Sequence, residues 1–201
     1  MDYYLCKKDP VQYLSKKAPH KVLEPLDKNT LYELAVLFKT MEILNENGWH
    51  ENKIGLIGGS SRVVSEFSKN NSTLSLYYQG LPQLFSSSSR YKDIMGSYGL
   101  SNKLRRPDII IEIRNANVTS KKYYILEVKR SQKREYLVDG VYKLLGYFKD
   151  YESIYLKDGN VLRGILVGWS GIKKQNTFKE QEIYMSGWLE LKETIHDLMD
   201  I

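Results

Sequence analysis

The amino-acid sequence predicts an α/β domain, a mixed sheet with helices packed against it. Three observations carry that expectation. Apolar residues recur at helical spacing over residues 31–47 and again over 137–148. Residues 73–79, 108–113, 123–129 and 163–169 are short stretches rich in β-branched and aromatic side chains. The elements follow one another as helix, strand, strand, strand, helix, strand, helix, which brings strands and helices into one layered core. A chain of 201 residues, 42% apolar and 27% charged, buries such a core as one domain without disulfide or metal staples, and lies far from the composition of disordered chains.

Residues 1–26 mix aromatics, lysines and three prolines without a period and read as an irregular arm, with the domain expected over 27–201. Asn29 or Thr30 is the expected N-cap of the first helix, whose apolar stripe is Leu31, Leu34, Ala35, Leu37, Phe38, Met41 and Leu44, and Gly48 is its stop. Lys53 to Ile57 leads into a turn at Gly58-Gly59-Ser60-Ser61, followed by a polar stretch to Asn71. The glycine pair is no phosphate-binding loop, since no Gly-Lys-Ser/Thr follows. Thr73 to Gln79 reads as a strand. Gly80, Pro82 and the serines Ser86 to Ser89 mark a loop that continues toward Asn102, and no His and acid pattern accompanies those serines. Asp108–Ile113 and Tyr123–Lys129 read as an antiparallel pair joined around Asn115-Ala116-Asn117. Leu137, Val141, Leu144, Leu145 and Phe148 form the stripe of a second helix. Arg163–Trp169 is a further strand, and Trp188–Met199 holds a closing helix.

Cys6 stands alone, and His20, His50 and His196 lack ligand spacing, so structural zinc is not expected. No apolar run approaches the roughly 18 to 20 residues of a membrane helix, and the N-terminus shows no apolar signal region, so a cytoplasmic protein is expected.

Strand geometry sends Glu127 and Lys129 to one face, with Leu126 and Val128 on the other. Asp108 begins the neighbouring strand, so a hairpin brings its carboxylate to the same end of the sheet. Two carboxylates at close range repel unless a cation joins them, and hard oxygen ligands suit Mg²⁺ or Mn²⁺. A cation held there would polarise a phosphate, which points to phosphodiester hydrolysis.

Arg106-Pro107-Asp108 followed by Leu126-Glu127-Val128-Lys129 resembles the PD-(D/E)XK nuclease superfamily, the restriction-endonuclease-like fold. The order of elements is most like that of nuclease domains from prokaryotic modification-dependent restriction systems, and the resemblance spans roughly residues 27 to 170. It implies a Mg²⁺-dependent endodeoxyribonuclease acting in restriction, antiviral defence or DNA processing, with Mn²⁺ as substitute cation. Asp108, Glu127 and the Val128 carbonyl would then be metal ligands, Lys129 would sit at the attacking water, and Glu33, on the helix ahead of the core, would support the metal. Lys143-Leu144-Leu145-Gly146-Tyr147 is similar to the Gln-x-x-x-Tyr motif of RecB-like members, with Lys in place of Gln. Arg105, Arg106, Arg130 and Lys143 are the expected DNA contacts. The partners implied are DNA and a homodimer or a motor or specificity subunit, with no membrane.

Plainer accounts stand beside these. Glu127 and Lys129 are also what a solvated strand face carries, with Asp108 capping a turn. Glu33 suits a helix N-terminus, Lys143 suits a surface pair with Asp139, and Arg105 and Arg106 suit a basic loop. Glu112 reads as a cross-strand ion partner, and Glu66 is a weaker candidate for the helix glutamate. A catalytically silent nucleic-acid-binding or assembly module on the same fold is the alternative function; a junction resolvase or transposon-end nuclease is another. Residues 103–134 hold ten Lys/Arg against three acids, while the rest of the chain has twenty against twenty-one, which concentrates the net +6 around the expected site.

Overall fold

The structure, a computed structural model, describes residues 27–55, 63–155, 159–170, 172 and 182–199; the expected arm and the Gly58-Gly59 turn lie outside them. The chain begins with helix α1 (Lys28–Glu46), then β1 (His50–Ile54), β2 (Val63–Lys69) and β3 (Ser72–Tyr78). Two short helices follow, α2 (Gln83–Ser87) and α3 (Arg90–Ser97), then β4 (Ile109–Asn115) and β5 (Lys121–Lys129). Helices α4 (Arg134–Asp150) and α5 (Glu152–Tyr155) lead to β6 (Val161–Gly168), β7 (Ile183–Ser186) and α6 (Leu191–Met199).

The seven strands make one sheet in chain order. Strands β1 to β5 are antiparallel neighbours, β6 runs parallel to β5, and β7 runs parallel to β6. The fold is thus the mixed α/β sheet flanked by helices that the sequence predicts. Parallel pairing of β5 with β6 needs a long crossover, and α4 supplies it while packing on both strands.

The cap of α1 is Asp27, not Asn29 or Thr30. Its Oδ1 accepts the Asn29 and Thr30 N–H groups at 2.8 and 3.2 Å, and the Thr30 hydroxyl is spent donating to Asp27 Oδ2. Gly48 ends the segment with φ +79°, a conformation glycine adopts without strain. Four elements differ from expectation. The polar stretch before Asn71 holds β2, which hydrogen-bonds to a neighbour on each side, so backbone pairing outweighs its mixed side chains. The loop after Gly80 holds α2 and α3, and β7 adds a strand beyond β6.

The sheet separates two cores. Ile109, Ile111, Tyr124, Leu126 and Val128 face α1 and α6, while Ile110, Tyr123 and Ile125 face α4 and α2. Burial on both faces is why β4 and β5 read as near-continuous apolar runs. Among the described residues no helix is long and apolar enough to cross a membrane.

Candidate functional site

The β4–β5 ladder pairs Ile109 with Leu126, and continuing the register by one residue sets Asp108 opposite Glu127. Directly opposed residues of an antiparallel pair hold their Cβ atoms about 4.5–5.5 Å apart, so the two acids meet at the mouth of the sheet. Asp108 Oδ2 accepts the Val128 N–H at 2.7 Å, which fixes its carboxylate against the end of β5. The N–H and C=O of one strand residue point to the same side, so the Val128 carbonyl also faces this edge.

Glu127 is 1% exposed, not part of a solvated strand face. Its Oε1 receives Lys143 at 2.9 Å and Lys129 at 3.2 Å, and Lys129 also pairs with Asp139 at 3.2 Å. Lys143 therefore reaches inward from α4 to the buried acid, and Asp139 holds Lys129 rather than Lys143. Burial opposes the charge on Lys129, but its pairs with Glu127 and Asp139 leave its pKa above the ordinary lysine value.

Glu33 comes from α1, whose first turn is pinned over the ends of β6 and β7. Tyr32 donates to the Gly168 carbonyl at 2.6 Å and packs against Trp169 and Trp188, with ring centroids 5.2 and 6.2 Å away. Glu33 Oε2 then accepts Tyr78 Oη at 3.1 Å and Gln79 Nε2 at 2.9 Å. Gln79 takes φ +46° as its N–H bonds the Asp108 carbonyl at 2.8 Å, and that turn aims its amide at Glu33. Burial first, then the Glu127 and Glu33 carboxylates, push Asp108 up to about 7, against the opposing effects of the Val128 N–H and Lys143. Burial and the nearby Glu33 raise the Tyr78 phenol.

Glu33, Asp108, Glu127, Val128, Lys129 and Lys143 line a cleft of about 470 Å³ that also takes in Arg130, Ser131, Lys133 and Tyr136. A cation fits its donor set. Glu127 Oε2 is buried without a hydrogen-bond partner. A desolvated oxygen left so costs about 1–3 kcal/mol, and a hard cation would satisfy it. Mg²⁺ characteristically takes one or two carboxylates and keeps waters for its other positions, a demand that Asp108, Glu127 and the Val128 carbonyl meet. Among the described residues no group of three or more His, Cys, Asp or Glu has ligand spacing. Glu33, committed to Tyr78 and Gln79, supports the site from its rim and does not complete a three-carboxylate set.

Of the expected DNA contacts, Arg130 and Lys143 line the cleft, whereas Arg105 and Arg106 do not. The Arg105 guanidinium lies over the rings of Tyr147 and Tyr91, 5.1 and 5.7 Å from their centroids, where it packs α4 against the segment before β4. Arg106 is exposed, and its carbonyl accepts Tyr147 Oη at 3.0 Å. The basic window also divides. Lys129, Arg130 and Lys133 line the cleft, but Arg114, Lys121 and Lys122 lie at the opposite ends of β4 and β5. There Arg114 and Lys121 pair with Glu112, which is buried and also bound by Tyr77, so Glu112 is the ion partner expected of it. Glu66 lies on β2, opposite Ser75 and away from the cleft. Sequence reasoning missed Tyr78, Gln79, Lys133, Tyr136 and the tie between Asp139 and Lys129. No motif marks them, since each is placed by a turn or a crossover. Comparison with family models, with curated proteins and with solved structures finds no match.

Proposed function

We propose that the protein is a divalent-metal-dependent deoxyribonuclease of the restriction-endonuclease-like kind. The observation that carries this reading is the cross-strand placement of Asp108 against Glu127, one oxygen of which is buried with no partner. A divalent cation held by Asp108, Glu127 and the Val128 carbonyl would polarise a phosphodiester and offset charge on the leaving oxygen. The chain's own groups do the rest. Arg130 and Lys133 at the lip and Lys143 at the wall hold the backbone phosphates, while Lys129 orients a water or meets developing negative charge. Glu33, steadied by Tyr78 and Gln79, adds negative potential that favours a cation.

A second reading, a nucleic-acid-binding module without catalysis, is favoured by the two lysines on Glu127 Oε1, which already neutralise that acid. Incubating the protein with plasmid and with single-stranded DNA in Mg²⁺, Mn²⁺ or EDTA separates the two. Metal-dependent cleavage that falls at least about a hundredfold in Glu127→Gln and Lys129→Ala, with folding intact, is the expected result. Retained binding with no cleavage by wild type under any condition assigns the module instead.

A further inference from the structure

A second cleft, of about 420 Å³, opens at the other end of the sheet. It forms where the β2–β3 turn at Asn70-Asn71 meets the β4–β5 turn, a junction closed by the Ala116 N–H donating to the Asn71 carbonyl at 2.9 Å. Seven residues of β4 separate Asp108 from Asn115, roughly 23 Å at strand rise, so this cleft is remote from the acids. Its volume falls within the range of small-molecule pockets.

Among the described residues only two buried side-chain polar atoms lack a partner: Glu127 Oε2 and Trp49 Nε1. Each belongs to a residue on the wall of a cleft, one at either end of the sheet. The two orphans are of opposite kind. A carboxylate oxygen calls for a cation or donor, whereas an indole N–H is a donor only and calls for an acceptor. Trp49 is 4% exposed, so bulk water does not supply that acceptor.

The rest of the lining has the same bias. Among the described residues it contains Lys69 and Lys122 and no acid, with side-chain amides from Asn70, Asn71, Asn115 and Asn117. The side chains of Asn70, Asn71 and Asn117 make no hydrogen bond to another described residue, so they are open to a ligand. Lys69 is partly engaged by the Asn47 carbonyl at 2.8 Å, which leaves Lys122, exposed on β5, as the more accessible cation. Ile113, Val118 and Met199 give an apolar wall. Two ammonium groups, paired amide donors and acceptors, and an apolar side match one ligand chemistry: an anionic phosphate carried on a flat ring edged with donors and acceptors.

We infer that this cleft binds a nucleoside monophosphate, its phosphate at Lys122 and Lys69 and an acceptor at the Trp49 indole. Such a ligand comes either free or as one nucleotide of a strand. The inference does not depend on the nuclease reading, because the two clefts share no residue.

The test is a calorimetric titration of the full chain in EDTA with the four deoxynucleoside monophosphates, a short single-stranded oligonucleotide and inorganic phosphate. At least one nucleotide saturates this site, or the oligonucleotide occupies it beside the acidic cleft, and Trp49→Phe and Lys122→Ala each weaken that component about tenfold, the scale of one hydrogen bond. Binding by the oligonucleotide alone that both variants weaken assigns the strand as the source; saturation by free nucleotide assigns the monomer. No binding at millimolar ligand, binding indifferent to both variants, or phosphate as tight as every nucleotide overturns the inference. Thermal melts guard against misfolding of Trp49→Phe, and the exposed Lys122→Ala provides the second variant.

Discussion

Asp108 titrates within the neutral range, so its charge differs between pH 6 and pH 8. Its folded pKa lies above the ordinary value of 3.8, so the folded chain holds this proton more tightly than the unfolded chain does. The group's contribution to stability is therefore complete below about pH 4 and is lost as pH rises through 7. Asp108→Asn, neutral throughout, should melt higher than wild type at pH 8 in EDTA and level with it at pH 4. Cation binding must displace the same proton, so Mg²⁺ should raise the wild-type Tm more at pH 8 than at pH 6, and not at all in Asp108→Asn. Equal Mg²⁺ shifts at both pH values in wild type would remove Asp108 from the cation site. Asp108, Glu127 and Lys129 were all legible in the sequence, because strand alternation and one hairpin suffice to gather them. Gln79 was not, since its contact with Glu33 follows from a left-handed backbone turn that no spacing announces.

At the scale of elements, α4 sets the site by how closely it lies on the sheet. A methyl group on Gly140 would collide with Leu166 Cδ1 and come within 3.3 Å of Lys129 Cγ, so only glycine lets the helix approach this near. Lys143, one turn further along, reaches Glu127 because of that approach. Gly140→Ala gains some helix propensity, but overpacking here should still cost about 1–3 kcal/mol by urea unfolding. It should also lower cleavage by shifting Lys143. Unchanged stability would show that the helix tolerates a wider seat. The stripe of α4 was readable from its apolar spacing except at Leu145, which is exposed, while Tyr147 takes a buried place on the helix. Helix α3 was not, for a physical reason: it buries none of its own side chains. Its first turn is built from outside, by Ser89 capping Lys92 N–H at 3.2 Å and by the buried Asp150 carboxylate, which accepts Ser89 Oγ and the Tyr91 N–H. The serine run thus contributes a cap.

Across the whole molecule, positive charge gathers at two ends of one sheet, a division that composition and chain position conceal. The sequence window is continuous from 103 to 134, but a hairpin folds its middle to the far end. DNA held at the acidic cleft should feel only the near half. Arg130→Ala with Lys133→Ala should reduce the slope of log affinity against log salt by about 2, while Arg114→Ala should leave it unchanged. A slope that responds equally to both would mean that the strand runs the length of the sheet.

The sheet's strand order, identical to chain order, also bears on how the protein is made. Each strand leaving the ribosome finds its partner already in place, and the opposed pair at Asp108 and Glu127 is complete once β5 has emerged. From Lys129 to Val161 the free side of β5 then waits for β6, roughly 2–6 s at ordinary elongation rates. During that interval α4 emerges, and by settling on the face of β5 it covers that strand's apolar side chains before its permanent neighbour arrives.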